Sequence, residues 1–351
     1  MAPNRPLRIL HVSNRNLGRN AATYNSSVDI KIANGFIRLG HMVWDFSFRD
    51  TARALSWFGS KKGGAGRMNA ALLETATNLK PDYIYMGHSE LVTSETMVAL
   101  RERLPDARLS LTWQDSLYDN DYTHITERAR LVHALFVSTG GPALRQFKSD
   151  GNRIAYFPNP VDPAIESLRQ FEHTDLSTDV LFCGRAKGRT LNARNAFIHD
   201  LADRAAASTD PAVRFRWHGG QLPLVFGDDY RQAMAAAAMG LSINRDNSWP
   251  ACASARLWQL TGNGLLTLSP RVPALDLLFR PDELAYFDDI DEAMDIVARM
   301  IREPATRQRI AHAGWARAHQ LFGSTQVAKF LLAITFGEDG DQWLPWSRYT
   351  V

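Results

Sequence analysis

Residues 254–269 read SARLWQLTGNGLLTLS, a short helical pattern that leads directly into an apolar strand pattern. The apolar run over 265–269 has the composition of a buried strand, and the glycines before it mark the end of the helix. Arg256 lies in the first predicted turn, where the positive end of the helix dipole disfavours a cation. Either this arginine extends into water or pairs with a carboxylate such as Asp246, or an anion binds beside it.

The same alternation of strand and helix patterns extends along the chain on both sides of this stretch. Apolar strand candidates of the first half lie at residues 8–14, 41–48, 81–89, 107–116 and 133–141. A second set begins at residue 179, after a connection over 154–167 that contains three prolines and marks a domain boundary. Strands that alternate with helices predict parallel, doubly wound sheets, which bind ligands beyond the carboxyl ends of their strands.

We therefore predict an α/β protein with two doubly wound Rossmann-like domains that face a cleft. The first covers residues 1–160, and the second covers residues 161–335. A tail over residues 336–351 is expected to pack back on the first domain. Closure is expected to occur about the connection at residues 158–162.

The bulk composition excludes several classes of protein. The 351 residues fit two domains. The sequence contains no run of about 20 apolar residues, so no membrane span is predicted. Cys183 and Cys252 lie in no metal-ligand spacing, so a reducing, cytoplasmic location is expected. The net charge of +3 permits an anionic ligand or peripheral association with the inner face of a membrane. No basic stripe or nucleic-acid motif is present.

Several motifs carry a resemblance to a known family. Two doubly wound domains, a Pro-Asn-Pro connection and a basic loop after the first strand of the second domain resemble GT-B glycosyltransferases. More narrowly, SARLWQLTGNGLLTLSP and LLFRPDELAYFDDIDEAMDIV are similar to the C-terminal signature of CgeB-like, spore-maturation-type glycosyltransferases. LTWQDSLYD is similar to their Trp-x-x-Asp segment, and FVSTGG and YFPNPVD also fit. The resemblance implies transfer of a sugar from a nucleoside diphosphate sugar to a hydroxyl acceptor, in bacterial surface-glycan or glycoconjugate assembly. It also implies that the domain over residues 1–160 is on the acceptor side and that the domain over residues 161–335 binds the nucleotide sugar.

The sequence departs from that family at one position that bears on stereochemistry. Many retaining GT-B enzymes carry two glutamates eight positions apart, the second of which is expected to bind the donor ribose. Here Gln259 and Ala251 stand in those places. Glutamine can hydrogen-bond a hydroxyl but carries no charge, so we lean to an inverting reaction. The alternatives are a sugar-nucleotide epimerase on the same fold and a non-catalytic, GT-B-like binding or scaffold protein.

The donor site is predicted at strand–helix junctions of the second domain. In the loop CGRAKGRTLNARN, glycines allow close backbone approach, and basic side chains could neutralise phosphates. A solvated basic turn is the alternative. The expected donor-binding residues are Gly184, Arg185, Lys187, Asn244, Ser254, Arg256 and Gln259, with Gly188 and Arg189 in the same loop.

The catalytic groups are predicted at strand ends of the first domain. We expect Asp115 to be the base, with Trp113 partly desolvating it and raising its pKa, and His88 to be the next candidate. Trp113 and Tyr118 form either a sugar-stacking surface or part of the core. The loop after the first strand adds Asn14, Arg15 and Gly18 as acceptor or cleft residues, and Gly140 and Gly141 offer backbone donors or only a turn.

Two Asp-x-Asp triplets formally match the metal-binding motif of GT-A enzymes. They are Asp119–Asp121 in a loop and Asp289–Asp291, which is placed to cap a helix. We interpret both as structural and expect no metal and no cofactor, with Arg185, Lys187, Arg256 and helix N–H groups balancing the diphosphate charge. The expected partners are a nucleoside diphosphate sugar donor and a glycan, lipid-linked or protein hydroxyl acceptor, without nucleic acid.

Overall fold

The computed structural model describes residues 5–117, 122–338 and 344–351. The chain divides into two compact units. The first contains Met1–Ala21, Ser27–Pro160 and Ser324–Val351, and the second contains Ala22–Ser26 and Val161–Gly323.

The first unit is built on a six-stranded parallel sheet with the strand order β2-β1-β3-β4-β5-β6. Its strands are β1 (Arg8–Ser13), β2 (Met42–Ser47), β3 (Tyr83–Met86), β4 (Arg108–Trp113), β5 (Ala134–Val137) and β6 (Arg153–Tyr156). Strands β3 and β5 are buried along their whole length, as expected where helices cover both faces of a parallel sheet. The edge strand β2 is largely exposed.

Among the described residues, six α-helices belong to this unit. They are α1 (Val28–Arg38), α2 (Phe48–Ala54), α3 (Ala65–Leu79), α4 (Ser94–Arg103), α5 (Thr123–Ala129) and α11 (Ser324–Thr335). A Cβ atom at Gly35 of α1 would lie 2.2 Å from the carbonyl oxygen of Ser324, so α11 approaches the backbone of α1 closely. Helix α11 thus belongs to the first unit, whereas the sequence pattern predicts a second domain that extends to residue 335. Hydropathy periodicity predicts a helix but not the sheet that it covers.

Strand β6 corrects the interpretation of residues 154–167 as a plain connection. Its first residue, Arg153, precedes that segment, and β6 pairs in parallel with β5. The prolines that follow from residue 158 obscured a strand only four residues long. Ile154 and Val351 exchange backbone hydrogen bonds of 3.0 and 2.8 Å, so the last residues of the chain lie against β6.

The second unit has a five-stranded parallel sheet with the order β11-β10-β9-β7-β8. Its strands are β7 (Thr178–Cys183), β8 (Phe215–His218), β9 (Ala237–Leu241), β10 (Leu266–Pro270) and β11 (Ala285–Phe287). Its helices are α6 (Ala193–Ala207), α7 (Gly227–Ala235), α8 (Ala255–Gly262), α9 (Ile290–Arg302) and α10 (Pro304–Leu321). The predicted α/β class with two doubly wound sheets is confirmed.

The Asp289–Asp291 triplet is part of a helix start. The Asp289 side chain accepts a hydrogen bond of 2.9 Å from the backbone N–H of Glu292 and caps α9. Asp291 forms an ion pair with Arg204 of α6. The predicted capping role is confirmed for Asp289.

Candidate functional site

The N-terminal end of α8 is held by a network centred on Asn244. The Asn244 side chain donates to the carbonyl of Cys252 at 2.8 Å and accepts from the N–H of Ser254 at 3.0 Å. Asn244 is itself buried, so it positions the turn into α8. The Ser254 hydroxyl, at the N-cap, is buried and has no hydrogen-bond partner among the described residues. An N-cap side chain usually accepts from the first helical turn, but the Ser254 side chain makes no such bond. The N–H of Leu257 instead donates to the carbonyl of Ser254 at 3.0 Å, so the N–H groups of Ala255 and Arg256 are the ones that face the start of the helix without a helical acceptor.

Arg256 turns toward the end of β7. Its Nε donates a hydrogen bond of 2.9 Å to the carbonyl of Cys183, and its guanidinium carbon lies 4.7 Å from the centre of the Phe182 ring. Burial lowers the pKa of Arg256, an effect opposed by Tyr230 and Cys183, but a guanidinium still remains charged at neutral pH.

No carboxylate in the described part of the chain pairs with Arg256. Asp246, which the sequence offered as its partner, instead accepts from the N–H and hydroxyl of Ser248 at 2.9 and 2.7 Å. A cation at the positive end of a helix, without an internal counter-ion, is the arrangement that an external anion would neutralise.

A second guanidinium converges on the same place. Arg194, in the first turn of α6, lies 5.5 Å from the centre of the Phe182 ring. A Cβ atom at Gly184 would lie 2.9 Å from Arg256 Nη2 and 3.3 Å from Arg194 Nη2. A side chain at this position would therefore displace the Arg256 guanidinium, and glycine lets both guanidinium groups lie close to the end of β7. The sequence alone does not indicate Arg194, because an arginine near a helix start has the pattern of a solvated side chain.

A cavity of about 320 Å³ opens beside Arg256. Gln259, which is buried, accepts from the Tyr230 hydroxyl at 3.1 Å and donates to the carbonyl of Asn25 at 3.4 Å. Burial raises the pKa of Tyr230, so its phenol stays neutral and donates. The cavity is lined by residues of the second unit, which are Ala22, Asn25, Ser26, Cys183, Gly184, Leu224, Val225, Phe226, Tyr230, Ser254, Ala255, Arg256 and Gln259.

Two residues of the cavity, Asn25 and Tyr230, are not indicated by the sequence alone. Tyr230 has the spacing of an ordinary core residue on α7. Asn25 belongs to the short segment Ala22–Ser26, which is remote in sequence from the rest of the second unit. The Asn25 side chain donates a hydrogen bond of 2.7 Å to the carbonyl of Gly227. This bond attaches the segment Ala22–Ser26 to the second unit.

The basic loop after β7 separates into two kinds of residue. Arg185 and Lys187 are exposed, and the Asn195 side chain holds the loop by donating to the carbonyls of Lys187 and Gly188 at 2.8 and 3.1 Å. Arg189, in contrast, pairs with Asp200 and Asp203 of α6. These aspartates neutralise the Arg189 charge, so of the three predicted phosphate-binding cations only Arg185 and Lys187 remain available to a ligand.

In the first unit, His88 and Asp115 lie together beyond the ends of β3 and β4. His88 Nε2 is 3.5 Å from an Asp115 carboxylate oxygen. The His88 ring packs against Trp113 with centroids 4.4 Å apart, and His124 contacts the same indole at 5.1 Å. Trp113 is 4% exposed, so it packs in the core and offers no stacking surface.

The expected desolvation of Asp115 is wrong. Its side chain is 65% exposed, because Trp113 covers His88 instead. Burial lowers the pKa of His88, against the opposing charges of Asp115 and Glu90. His88 is therefore neutral at pH 7 and able to accept a proton or to orient the carboxylate.

The loop after β1 is engaged within the first unit. The Arg15 guanidinium pairs with Asp45, which also accepts from His11 Nδ1 at 2.7 Å. Burial would raise the pKa of Asp45, but these two partners hold it below its usual value. The Asn14 N–H donates 3.1 Å to Asp29, and Gly18 is exposed. The predicted residues Tyr118, Asp119 and Asp121 lie outside the described residues.

Comparisons with known proteins agree with this architecture. Residues 189–333 match the family model described as "Glycosyl transferase-like". No curated protein matches the chain.

Three solved structures resemble nearly the whole chain. AviGT4, a glycosyltransferase involved in avilamycin A biosynthesis, is 14% identical with a TM-score of 0.56, over 94% of this chain and 97% of its own. Anabaena Alr3699/HepE in complex with UDP is 15% identical with a TM-score of 0.53, and the match covers 92% of this chain and 98% of that protein. A putative UDP-N-acetylglucosamine 2-epimerase from Listeria monocytogenes is 10% identical with a TM-score of 0.52, over 94% and 95%.

These likenesses establish the GT-B fold. The family match over part of the chain, together with that fold, supports a glycosyltransferase. In the described part of the chain, no helix is both long and apolar enough to cross a membrane.

Proposed function

We propose that the protein transfers a sugar from a nucleoside diphosphate sugar to a hydroxyl acceptor. The observation that carries this proposal is the Arg256 guanidinium beside Gly184, which has no described carboxylate partner and lies at the N-terminal end of α8. A diphosphate there would gain charge-assisted, bidentate hydrogen bonds from Arg256. The Ser254 hydroxyl, which has no described partner, and the N–H groups of Ala255 and Arg256 at the start of α8 would complete its coordination.

The remaining donor residues follow from their places around this centre. Arg194, Arg185 and Lys187 would add positive charge to the phosphates. The cavity beside Gln259 would take the ribose and base, with the Gln259 amide bonding a ribose hydroxyl. Asn244 is a positioning residue, because its side chain bonds the backbone that leads into α8.

Asp115 is the proposed base toward the acceptor hydroxyl, with His88 holding its carboxylate. An inverting transfer needs such a base, and its exposure leaves Asp115 accessible to an acceptor. The acceptor is a glycan, a lipid-linked sugar or a protein hydroxyl of bacterial surface-glycan or glycoconjugate assembly, and the enzyme works in the cytoplasm at the inner face of the membrane. The CgeB-like subfamily remains part of this proposal.

Metal independence is also proposed, because arginine and lysine charges and helix N–H groups would balance the leaving diphosphate. Activity should survive EDTA. Complete loss with chelator, restored by Mn²⁺, would contradict this and return attention to Asp119 and Asp121.

A thermal-shift screen with UDP-, GDP-, dTDP- and CMP-sugars tests the donor class. A ligand at 100 times its dissociation constant should stabilise the protein by about 2.7 kcal/mol. CMP-sugars are the matched control, because their single phosphate cannot span a diphosphate site. Product analysis then separates the alternatives. Free epimerised nucleotide sugar would indicate an epimerase, and binding without any turnover would indicate a scaffold.

A further inference from the structure

The loop that follows α2 presents two adjacent large aromatic side chains to solvent. Trp57 is 86% exposed and Phe58 is 95% exposed. Single exposed apolar residues are ordinary on protein surfaces, but a contiguous pair at the tip of a loop indicates an interaction surface. We define residues 55–64, LSWFGSKKGG, as the aromatic loop.

The aromatic loop is held in one conformation by its own hydrogen bonds. The Ser56 hydroxyl accepts from the N–H groups of Phe58 and Ser60 at 3.4 and 3.2 Å. A Cβ atom at Gly64 would lie 1.7 Å from the carbonyl oxygen of Ala52, so the base of the loop packs directly on α2. The two rings are thus exposed because an ordered backbone presents them.

Positive charge surrounds the aromatic pair. Between residues 48 and 67 the chain has five basic residues and one acidic residue, in a protein that is otherwise nearly balanced. Arg67 donates a hydrogen bond of 2.8 Å to the carbonyl of Leu55, and its guanidinium carbon lies 5.9 Å from the centre of the Trp57 ring. Lys61 shares Glu90 with Arg49, and Lys62 is exposed. The surface therefore combines an apolar tip with a net positive rim.

We infer that the aromatic loop inserts Trp57 and Phe58 into the interface of an anionic lipid bilayer. Tryptophan favours the headgroup level of a membrane, and lysine and arginine around it are attracted to anionic lipids. Either contribution alone gives weak, reversible binding, but the two together suffice for peripheral association. The inference deepens the proposed peripheral membrane association and rests on that part of the proposed function.

Vesicle co-sedimentation of the full chain, without any sugar donor, tests this assignment. The wild type should bind vesicles of phosphatidylcholine with phosphatidylglycerol, more weakly at high salt and more weakly still on phosphatidylcholine alone. The double variant Trp57→Ala/Phe58→Ala should bind at least about tenfold more weakly, since both rings would lose apolar burial. Lys62→Gln should weaken binding to the anionic vesicles alone, by about fivefold.

Val98→Ala is the matched control, because Val98 is 40% exposed on α4, outside the aromatic loop, and should leave binding unchanged. Wild-type protein that stays off both kinds of vesicle would overturn the inference, as would a double variant that binds normally. A concentration-dependent dimer lost in the double variant would assign the loop to a second copy instead. Donor binding, measured separately by thermal shift, should be the same in all variants, so failure of the membrane surface and failure of the donor site are distinguishable.

Discussion

Replacement of Arg256 by alanine should weaken binding of a nucleoside diphosphate. Nε already bonds the carbonyl of Cys183, so the ligand would use the two terminal nitrogens. Loss of a charge-assisted interaction costs about 1.5–3 kcal/mol, which is about a tenfold to 150-fold rise in Kd. Binding should weaken without disappearing, because Arg194 remains beside the same Phe182 ring.

Isothermal titration with the nucleoside diphosphate selected by the thermal-shift screen measures this change. Arg189→Ala is the matched control, since Arg189 lies in the neighbouring loop but is paired with Asp200 and Asp203, and its Kd should stay within about twofold of wild type. Arg256→Lys should recover only part of the loss, because an ammonium keeps the charge without the bidentate fork. A folded Arg256→Ala protein with wild-type Kd would refute the reasoning.

Three further predictions concern the first unit. Asp115→Asn should lower the transfer rate by about 10²–10⁴-fold with donor Kd unchanged, and normal turnover would remove Asp115 as the base. Burial, with nearby arginines, lowers the pKa of His133 to about 4, so the unfolded chain binds its proton first as the pH falls. Urea unfolding should therefore show stability that is complete above pH 6.5 and declines as the pH falls toward 4, by about 1–2 kcal/mol because solvent screens this partly exposed ring. His133→Asn should show a smaller decline, and an equal decline would contradict the assignment. Gly35→Ala should destabilise the protein by about 1–3 kcal/mol, because the added methyl group would contact the backbone of Ser324. Gly66→Ala is the control and should not destabilise the protein, because a Cβ atom there meets open space. Equal effects of the two substitutions in thermal melts would refute the close approach of α1 and α11.

Strand–helix alternation was readable from the sequence because buried parallel strands are short apolar runs bounded by turn residues. Strand β6 has no clear sequence signal, because its four residues are followed closely by prolines. The placement of α11 depends on the close approach at Gly35, and hydropathy gives no information about which helix a glycine faces.

The candidate donor site was found where a residue conflicted with its local surroundings. The sequence indicates Arg256 as a site residue because a cation in the first turn of a helix is disfavoured by the helix dipole. Arg194 and Tyr230 caused no such conflict, and only folding brings them to the same strand end. The desolvation expected for Asp115 failed because packing direction decides which side chain an indole covers, and Trp113 covers His88.

A crystal structure with the nucleoside diphosphate that stabilises the protein tests the central claim most directly. The account predicts diphosphate oxygens within hydrogen-bond distance of Arg256 and of the N–H groups that begin α8, with the ribose beside Gln259. A diphosphate bound elsewhere, such as the basic cavity of about 500 Å³ lined by Arg5, Arg8 and Arg103, with the end of α8 empty, would contradict it.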